Sequence, residues 1–225
     1  MVAYIFQAKR KNVLVRALVL AGHENTLSRV VISFVDITKR KEAEEALRTN
    51  EQKFREQALR DSLTSLYNRR FLSHSLAGLI EAAKKNQTPL SLLFMDLDNF
   101  KKVVDLHGHL NGSHVIQEVA ATIRGALDSP AYAVAYAGDE FVVVLPGLDQ
   151  QQAASKATQI QSQIKATVYL RSKGKAVHLQ ASCGLATFPE HAVDTDSLLA
   201  AADQALFSIK EIGKGDIGYY DNIGQ

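Results

Sequence analysis

The chain has 225 residues, of which 46% are hydrophobic and 22% charged, with 26 basic and 24 acidic side chains. This is the composition of a globular protein with room for one good-sized domain and a smaller appendage, and its near-neutral balance gives no argument for nucleic acid as a partner. No apolar stretch has the length needed to cross a bilayer, and the single cysteine, Cys183, fits a reducing compartment, so we expect a cytoplasmic protein without direct membrane insertion.

Two β-rich runs, residues 13–20 and 30–35, flank the turn formers Gly-His-Glu-Asn at 22–25, which predicts a hairpin. Two or three strands bury too little to stand alone, so this piece is expected to end a truncated domain or to lie against a partner chain. With the following string Asp36-Ile-Thr-Lys, it resembles the last strands and exit motif of a PAS sensor domain. Residues 1–37 are therefore expected to be the C-terminal remnant of a PAS-like domain.

Residues 38–60 form a segment rich in Ala, Glu, Lys, Arg and Gln that contains neither Gly nor Pro, which predicts a helical linker. A thin seam at four-three spacing indicates a parallel two-helix coiled coil and hence a homodimer. A single solvated helix remains the alternative, because two of the seam positions are polar. The seam consists of Ala43, Leu47, Asn50, Phe54 and Gln57.

Beyond residue 60, helical and strand patterns alternate, and residues 61–225 are expected to form one domain. The mixture predicts an α/β (α+β) sandwich with antiparallel strand pairs, not a Rossmann fold. No G-x-G-x-x-G or Walker A string is present. The predicted helices are 68–85, 113–127, 149–167 and 196–212, and the predicted strands are 90–95, 132–136, 141–145 and 177–187.

Two acidic clusters each lie next to an apolar strand: Asp96-Leu97-Asp98 follows one directly, and Asp139-Glu140 lies in the turn of the predicted hairpin. Carboxylates in such places suit a hard cation such as Mg²⁺ or Mn²⁺, which also takes water and phosphate oxygens as ligands. Taken alone, each cluster is more often a solvated loop. The surrounding motifs decide between these interpretations.

Five sequence blocks occur in a fixed order over about 160 residues and together resemble the GGDEF family of diguanylate cyclases. The resemblance implies a fold like the adenylyl cyclase catalytic domain and the polymerase palm. It also implies that two GTP molecules, held in two half-sites of a dimer, are condensed into cyclic di-GMP with release of pyrophosphate. The blocks are Asp61-Ser-Leu-Thr-Ser-Leu-Tyr-Asn-Arg-Arg70, Asp96-Leu-Asp-Asn-Phe-Lys-Lys102, Gly108-His109, Ala137-Gly-Asp-Glu-Phe141 and Ala202-Asp-Gln-Ala-Leu-Phe-Ser-Ile-Lys210.

The resemblance also implies a set of site residues. Asp96, Asp139 and Glu140 would be catalytic, and Asp96, Asp139 and the Leu97 carbonyl would hold the metal, with Glu140 as a further metal ligand or an electrostatic support. The phosphates would be bound at the start of a short helix and by two lysines one helical turn apart near the end of the chain. Without the resemblance, these lysines would be favourable charges at a helix C-terminus. The phosphate-binding residues are Asn99, Phe100, Lys101, Lys210 and Lys214.

Two positions that read the base differ from the family pattern: Val104 replaces an asparagine and Ser113 replaces an aspartate. A carboxylate accepts both N–H donors of guanine and opposes the N1 lone pair of adenine, whereas a hydroxyl serves either base. Ser113 resembles the substitution in hybrid promiscuous GGDEF enzymes, which also use ATP and make cyclic GMP-AMP. Alternatively, Ser113 is a helix N-cap and Val104 fills the core.

Ala137 replaces the first glycine of the signature, beside Gly138, where the ribose and α-phosphate are expected to approach. The Arg-x-x-Asp motif of product inhibition would fall at Asp128 and Ala131 and is absent, so we expect no inhibitory site. Two other functions compete with the enzyme. One is a degenerate module that binds nucleotide and signals through contacts, and the other is a purely structural dimerisation domain.

Overall fold

The computed structural model describes residues 2–8, 11–21 and 29–220. The chain divides into two compact units, Met1–Ala58 and Leu59–Gln225. The first unit contains β1 (Val2–Ala8), β2 (Lys11–Val19), β3 (Val30–Asp36) and α1 (Thr38–Ala58). The second contains β4 (Tyr67–Asn68), α2 (Arg69–Asn86), β5 (Leu90–Leu97), α3 (Phe100–His107), α4 (His109–Gly125), β6 (Tyr132–Ala137), β7 (Glu140–Pro146), α5 (Gln150–Ala166), a 3-10 turn (Arg171–Lys173), β8 (Ala181–Phe188), α6 (Thr195–Ile212) and β9 (Ile217–Tyr219).

In the first unit, the strands form an antiparallel sheet in the order β1-β2-β3. The pairing of β2 with β3 confirms the predicted hairpin strands, whereas the predicted turn at 22–25 lies outside the described residues. Asp36 joins the sheet to the helix, because its Oδ1 accepts hydrogen bonds from the Thr38 amide (3.0 Å) and hydroxyl (2.6 Å). These bonds from Thr38, together with the Lys11 ammonium, lower the pKa of Asp36 below its ordinary value.

Helix α1 confirms the predicted helical linker. From Lys39 onward the side chains that the structure describes in this helix are exposed to solvent, including two apolar members of the seam, Leu47 (61% exposed) and Phe54 (70% exposed). Within the described ranges, no helix is both long and apolar enough to span a membrane.

The second unit is a six-stranded sheet with helices on both faces, which confirms the predicted mixed α/β sandwich. The strand order is β4-β6-β7-β5-β8-β9, in which the four inner strands are antiparallel and the two short edge strands are parallel to their neighbours. Alternation along β5 divides the core: Leu93 and Met95 join the layer of α4 and α5, whereas Leu92 and Phe94 join the layer of α2 and α6.

Several boundaries differ from the predictions. The helix predicted at 113–127 begins at His109, directly after Gly108, whose φ of +82° separates α3 from α4. The strand predicted at 177–187 is β8, and Val177 instead forms an isolated bridge with Tyr169. Strands β1, β4 and β9 were not predicted.

Helix α6 packs on the sheet by direct backbone contact. A Cβ on Gly184 of β8 would overlap the Ala202 carbonyl oxygen, and a Cβ on Gly218 of β9 would overlap that of Ala205. The helix begins with a capping box in which Asp194 and Ser197 exchange side-chain and backbone hydrogen bonds. The bonds from the Ser197 hydroxyl and amide lower the pKa of Asp194.

Candidate active site

Antiparallel pairing of β5 with β7 brings the two acidic turns together. Asp96, the penultimate residue of β5, lies opposite Glu140, the first residue of β7. The Leu97 amide donates a hydrogen bond to the Asp139 carbonyl oxygen across the same pair (3.3 Å). The structure therefore places the three carboxylates predicted from separate motifs at one edge of the sheet.

The second acidic cluster lies on a tight hairpin. Ala137 pairs with Glu140, which leaves Gly138 and Asp139 as the turn between β6 and β7. Gly138 has a φ of +59°, a conformation that favours glycine. Ala137, in contrast, ends strand β6 and is exposed. The backbone there does not require glycine, so the alanine methyl group is accommodated without strain.

Negative charge accumulates at this edge. Burial raises the pKa of Asp139 and of Glu140 above their ordinary values, and the Asp96 carboxylate adds to both shifts. The Lys210 ammonium opposes these shifts and lies 2.7 Å from Asp96 Oδ2. Three carboxylates thus face one lysine, an arrangement that favours a further cation.

The donors present fit Mg²⁺ or Mn²⁺. Both ions prefer oxygen ligands, and Mg²⁺ usually binds through one or two carboxylates while water and phosphate oxygens complete its shell. Over residues 2–8, 11–21 and 29–220, no three Asp, Glu, His or Cys side chains form a ready-made metal site by themselves. An ion held by these carboxylates would have coordination positions left for water or phosphate oxygens.

Directly after β5, the chain enters α3 in the way the sequence predicts. Asn99 occupies the cap with φ +56° and makes no side-chain capping hydrogen bond, and Phe100 and Lys101 are the first two helical residues. The first amides of a helix have no partner within it and point along the axis. The free amides at the start of α3 can therefore bind an anion close to Asp96.

The two predicted phosphate-binding lysines do not share a helix, which corrects the prediction that they lie one helical turn apart. Helix α6 ends at Ile212, and Gly213 caps it. Lys214 follows in a turn with φ +62° and is exposed, whereas Lys210 lies in the last helical turn beside Asp96. The end of the helix itself agrees with the predicted helix at 196–212, and Gly213 marks it.

Of the two positions that depart from the family pattern at the base, Val104 lies against Gly112, the residue before Ser113. A Cβ on Gly112 would lie 2.9 Å from Val104 Cγ2, so α3 and α4 pack closely beside Ser113. Ser113 is the fifth residue of α4 and Gly108 holds the cap position. The interpretation of Ser113 as a helix N-cap is therefore wrong, because the helix starts four residues earlier.

The segment expected to carry an inhibitory motif forms a turn in which the Ala131 amide donates to the Asp128 carbonyl (2.9 Å). Asp128 contacts Lys156 at 3.8 Å, and its side chain is almost fully exposed. The absence of an inhibitory site stays a prediction.

Two cavities lie beside the ends of β5 and β7 that carry the acidic clusters, and the sequence predicted neither. One, of about 510 Å³, lies beside the turn after β5, and the other, of about 360 Å³, lies beside Glu140. The sequence analysis also did not predict the hydrogen bond of 2.7 Å between Ser182 and Asp98, both of which are buried. A hydroxyl in the mostly apolar β8 was the available signal, since a buried polar group needs a partner.

Comparison with known proteins agrees with this geometry. Residues 58–216 match the family described as "Diguanylate cyclase, GGDEF domain". The chain is 34% identical over 157 residues to the diguanylate cyclase DosC of Escherichia coli, a match that covers 70% of this chain and 34% of DosC. It is also 34% identical over 187 residues to an uncharacterized signaling protein of Caulobacter vibrioides, a match that covers 82% of this chain and 22% of that protein. The chain thus spans about a fifth to a third of the length of these curated relatives.

Solved structures share the fold. The GGDEF domain of TpbB from Pseudomonas aeruginosa matches with a TM-score of 0.69 at 33% identity, covering 72% of this chain and 94% of that one. The coiled coil and GGDEF domain of DgcB from Caulobacter crescentus, in complex with c-di-GMP, matches with a TM-score of 0.76 at 25% identity, covering 81% and 96%. Since the matched family segment contains both acidic turns and both lysines, the chain belongs to the GGDEF family.

Proposed function

We propose that the second unit is a diguanylate cyclase that condenses two GTP into cyclic di-GMP with the help of Mg²⁺ or Mn²⁺. The observation that carries the proposal is the meeting of Asp96, Asp139 and Glu140 at one sheet edge beside Lys210. The similarity to DosC, itself a diguanylate cyclase, supports the choice of reaction.

Each group where the ends of β5 and β7 meet has a role in this reaction. Asp96, Asp139, Glu140 and the Leu97 carbonyl would hold the divalent ion, which when bound neutralises charge on the triphosphate. The amides from Asn99 to Lys101 would bind phosphate oxygens at the start of α3. Lys210 and Lys214 would bind the β- and γ-phosphates from two different local structures, a helix end and a turn.

The chemistry requires two copies of the domain. The 3′ oxygen of one nucleotide forms a bond to the α-phosphorus of the other, the bond to pyrophosphate breaks, and the hydroxyl proton is lost. A second such step closes the ring. Because each domain holds one nucleotide, we infer a homodimer through a parallel coil of α1, which the exposure of Leu47 and Phe54 supports.

The remaining N-terminal segments have inferred roles of their own. Residues 1–37 would be the end of a PAS-like sensor domain, residues 38–60 the coiled-coil linker, and residues 61–225 the cyclase domain. The strand pairing of β2 with β3 and the hydrogen bonds from Thr38 to Asp36 support a continuous connection from the sheet into the linker helix.

We further infer that the site accepts ATP together with GTP and makes 3′,3′-cyclic GMP-AMP. Ser113 is half-buried on α4, which packs against α3, the helix that carries Val104. A hydroxyl donates or accepts and tolerates either purine, whereas the missing carboxylate would reject adenine. Val104 cannot supply the hydrogen bonds of an asparagine amide, which relaxes discrimination further.

Incubation of the protein with Mg²⁺ and GTP, ATP or both, followed by mass spectrometry of the products, tests both the diguanylate cyclase activity and the use of ATP. We expect cyclic di-GMP from GTP alone and cyclic GMP-AMP from the mixture. Asp139→Asn is the matched control, since it keeps the shape of the turn and removes one charge. Nucleotide binding without product would instead indicate the degenerate signalling module.

A further inference from the structure

A buried hydroxyl connects the acidic edge to the turn that carries Lys214. Ser182, on β8, is fully buried and lies opposite Asp96 in the strand register. Its Oγ donates a hydrogen bond to Asp98 Oδ1 (2.7 Å) and accepts one from the Gly215 amide (2.9 Å). One side chain therefore bonds to two of the three segments that contribute proposed phosphate-binding groups.

The turn needs such support because of its backbone conformation. Lys214 has φ +62° and Gly215 has φ +72°, so two consecutive residues are left-handed. A non-glycine residue keeps this conformation only when its surroundings impose it. Gly215 is also seated closely, since a Cβ there would lie 2.6 Å from Gln180 Oε1.

Asp98 fixes the other end of the connection. It is only 9% exposed, and its amide donates to the Gln180 carbonyl (2.9 Å). Its Oδ2 accepts no hydrogen bond from the part of the chain that the structure describes, which makes the charge-assisted bond from Ser182 its main side-chain contact. Asp98 lies between the proposed metal ligands at 96–97 and the phosphate-binding amides at 99–101.

We propose that Ser182 is a positioning residue that orients the Lys214 turn toward the bound triphosphate. Its hydroxyl holds the Gly215 amide in register with Asp98, and so sets the distance between the phosphate-binding amides of α3 and the Lys214 ammonium. The inference rests on the proposed role of Lys214 in phosphate binding, and it adds a residue that never touches the substrate.

Other contacts hold the same segment, so loss of the hydroxyl should loosen the turn without unfolding the domain. Gln161 Nε2 donates to the carbonyls of Ala181 (2.8 Å) and Asp216 (3.1 Å). The Cys183 amide donates to the Asp216 carbonyl (3.0 Å) at the start of the β8–β9 pairing. These bonds lie beyond Gly215, and on its other side the Lys214 amide donates to the Ile209 carbonyl at the end of α6 (3.2 Å), so the bond from the Gly215 amide to Ser182 is the one that ties the turn to Asp98.

The test compares Ser182→Ala with Ser91→Ala as a matched control. Ser91 is an equally buried hydroxyl in the same sheet, bonded to Thr187 (2.8 Å) and the Leu148 carbonyl (2.8 Å). It lies five residues along β5 from Asp96, or about 17 Å at strand spacing. We expect Ser182→Ala to weaken binding of a non-hydrolysable GTP analogue about ten-fold with GMP affinity unchanged, and Ser91→Ala to change neither.

A double-mutant cycle with Lys214→Ala shows whether Ser182 acts through the lysine. We expect Ser182→Ala to have little further effect on analogue binding in the Lys214→Ala background. Additive effects would overturn the proposal, as would an unchanged analogue affinity in folded Ser182→Ala. Loss of affinity for GMP to the same degree would indicate a general structural role and would also overturn it. So would a Lys214→Ala variant that binds the analogue normally.

Amide hydrogen exchange gives a readout that does not depend on turnover. The Gly215 amide should be protected although its turn is exposed, and Ser182→Cys, which keeps the packing but bonds weakly, should speed its exchange. Rapid exchange of Gly215 in the wild type would overturn the proposal. A wild-type chain that binds the analogue but makes no product would refute the cyclase function alone.

Discussion

Replacing Asp96 with asparagine should abolish turnover and leave the fold nearly as stable as before. The variant loses the 2.7 Å ion pair between Asp96 and Lys210. The side chain of Asp96 is 16% exposed and that of Lys210 is 31% exposed. A hydrogen bond to a charged group contributes about 1.5 to 3 kcal/mol, and partial exposure reduces this figure. The variant also loses the repulsion by which Asp96 raises the pKa values of Asp139 and Glu140, so we expect the free energy of unfolding to change by about 1 kcal/mol or less.

Thermal unfolding and product formation measure the two effects separately. A change of about 1 kcal/mol corresponds to roughly 2 to 4 °C for a domain of this size, whereas loss of a group that stabilises transition-state charge costs at least about a hundred-fold in turnover. Glu81→Gln is the control, because Glu81 is an exposed carboxylate paired with Lys84 at 3.1 Å on α2. Asp96→Asn with near wild-type turnover would refute the metal assignment.

Three further predictions address specificity, assembly and pH. Ser113→Asp should shift the ratio of cyclic di-GMP to cyclic GMP-AMP about ten-fold or more toward the former, measured by mass spectrometry with equal GTP and ATP; an unchanged ratio would show that Ser113 does not read the base. Activity per subunit should rise with protein concentration, and Leu47→Ala with Phe54→Ala should shift this rise to higher concentration; a fully active monomer would contradict the half-site scheme. Because the folded pKa of Asp194 is depressed, its stabilisation is present above the unfolded pKa of about 3.9 and is lost as pH falls through the folded value. The difference in Tm between wild type and Asp194→Ala should therefore narrow between about pH 7 and pH 3, and a constant difference would contradict the capping argument.

The parts of the fold that follow local patterns could be predicted from the sequence. The apolar run of β5 ends at Asp96, and the two-residue turn at Gly138 and Asp139 joins two β-rich segments. Such signals are local, and the order of the strands then brings the carboxylates together. The residues of the acidic edge can therefore be identified from their sequence motifs alone.

The parts that depend on distant contacts could not be predicted. Gly112 directly precedes the predicted start of the helix at 113, yet it lies inside α4. A side chain there would overlap Val104, so the glycine serves the packing of α3 on α4 and does not mark a helix boundary. Strand β9 has three residues and exists only through its pairing with β8. The bond between Ser182 and Asp98 spans 84 residues of sequence, and no local pattern encodes such a contact.

The direct packing of α6 on the sheet bears on how a mutational scan of this protein would look. Gly184 and Gly218 have no room for a Cβ against the α6 backbone, so every substitution there must displace the helix that carries Lys210. A library selected for cyclic dinucleotide production would thus lose variation at these glycines as completely as at Asp96. Loss of activity on substitution would therefore not distinguish the packing glycines from Asp96. Protein abundance measured in the same library would distinguish them, because only the glycine variants should be depleted among folded proteins.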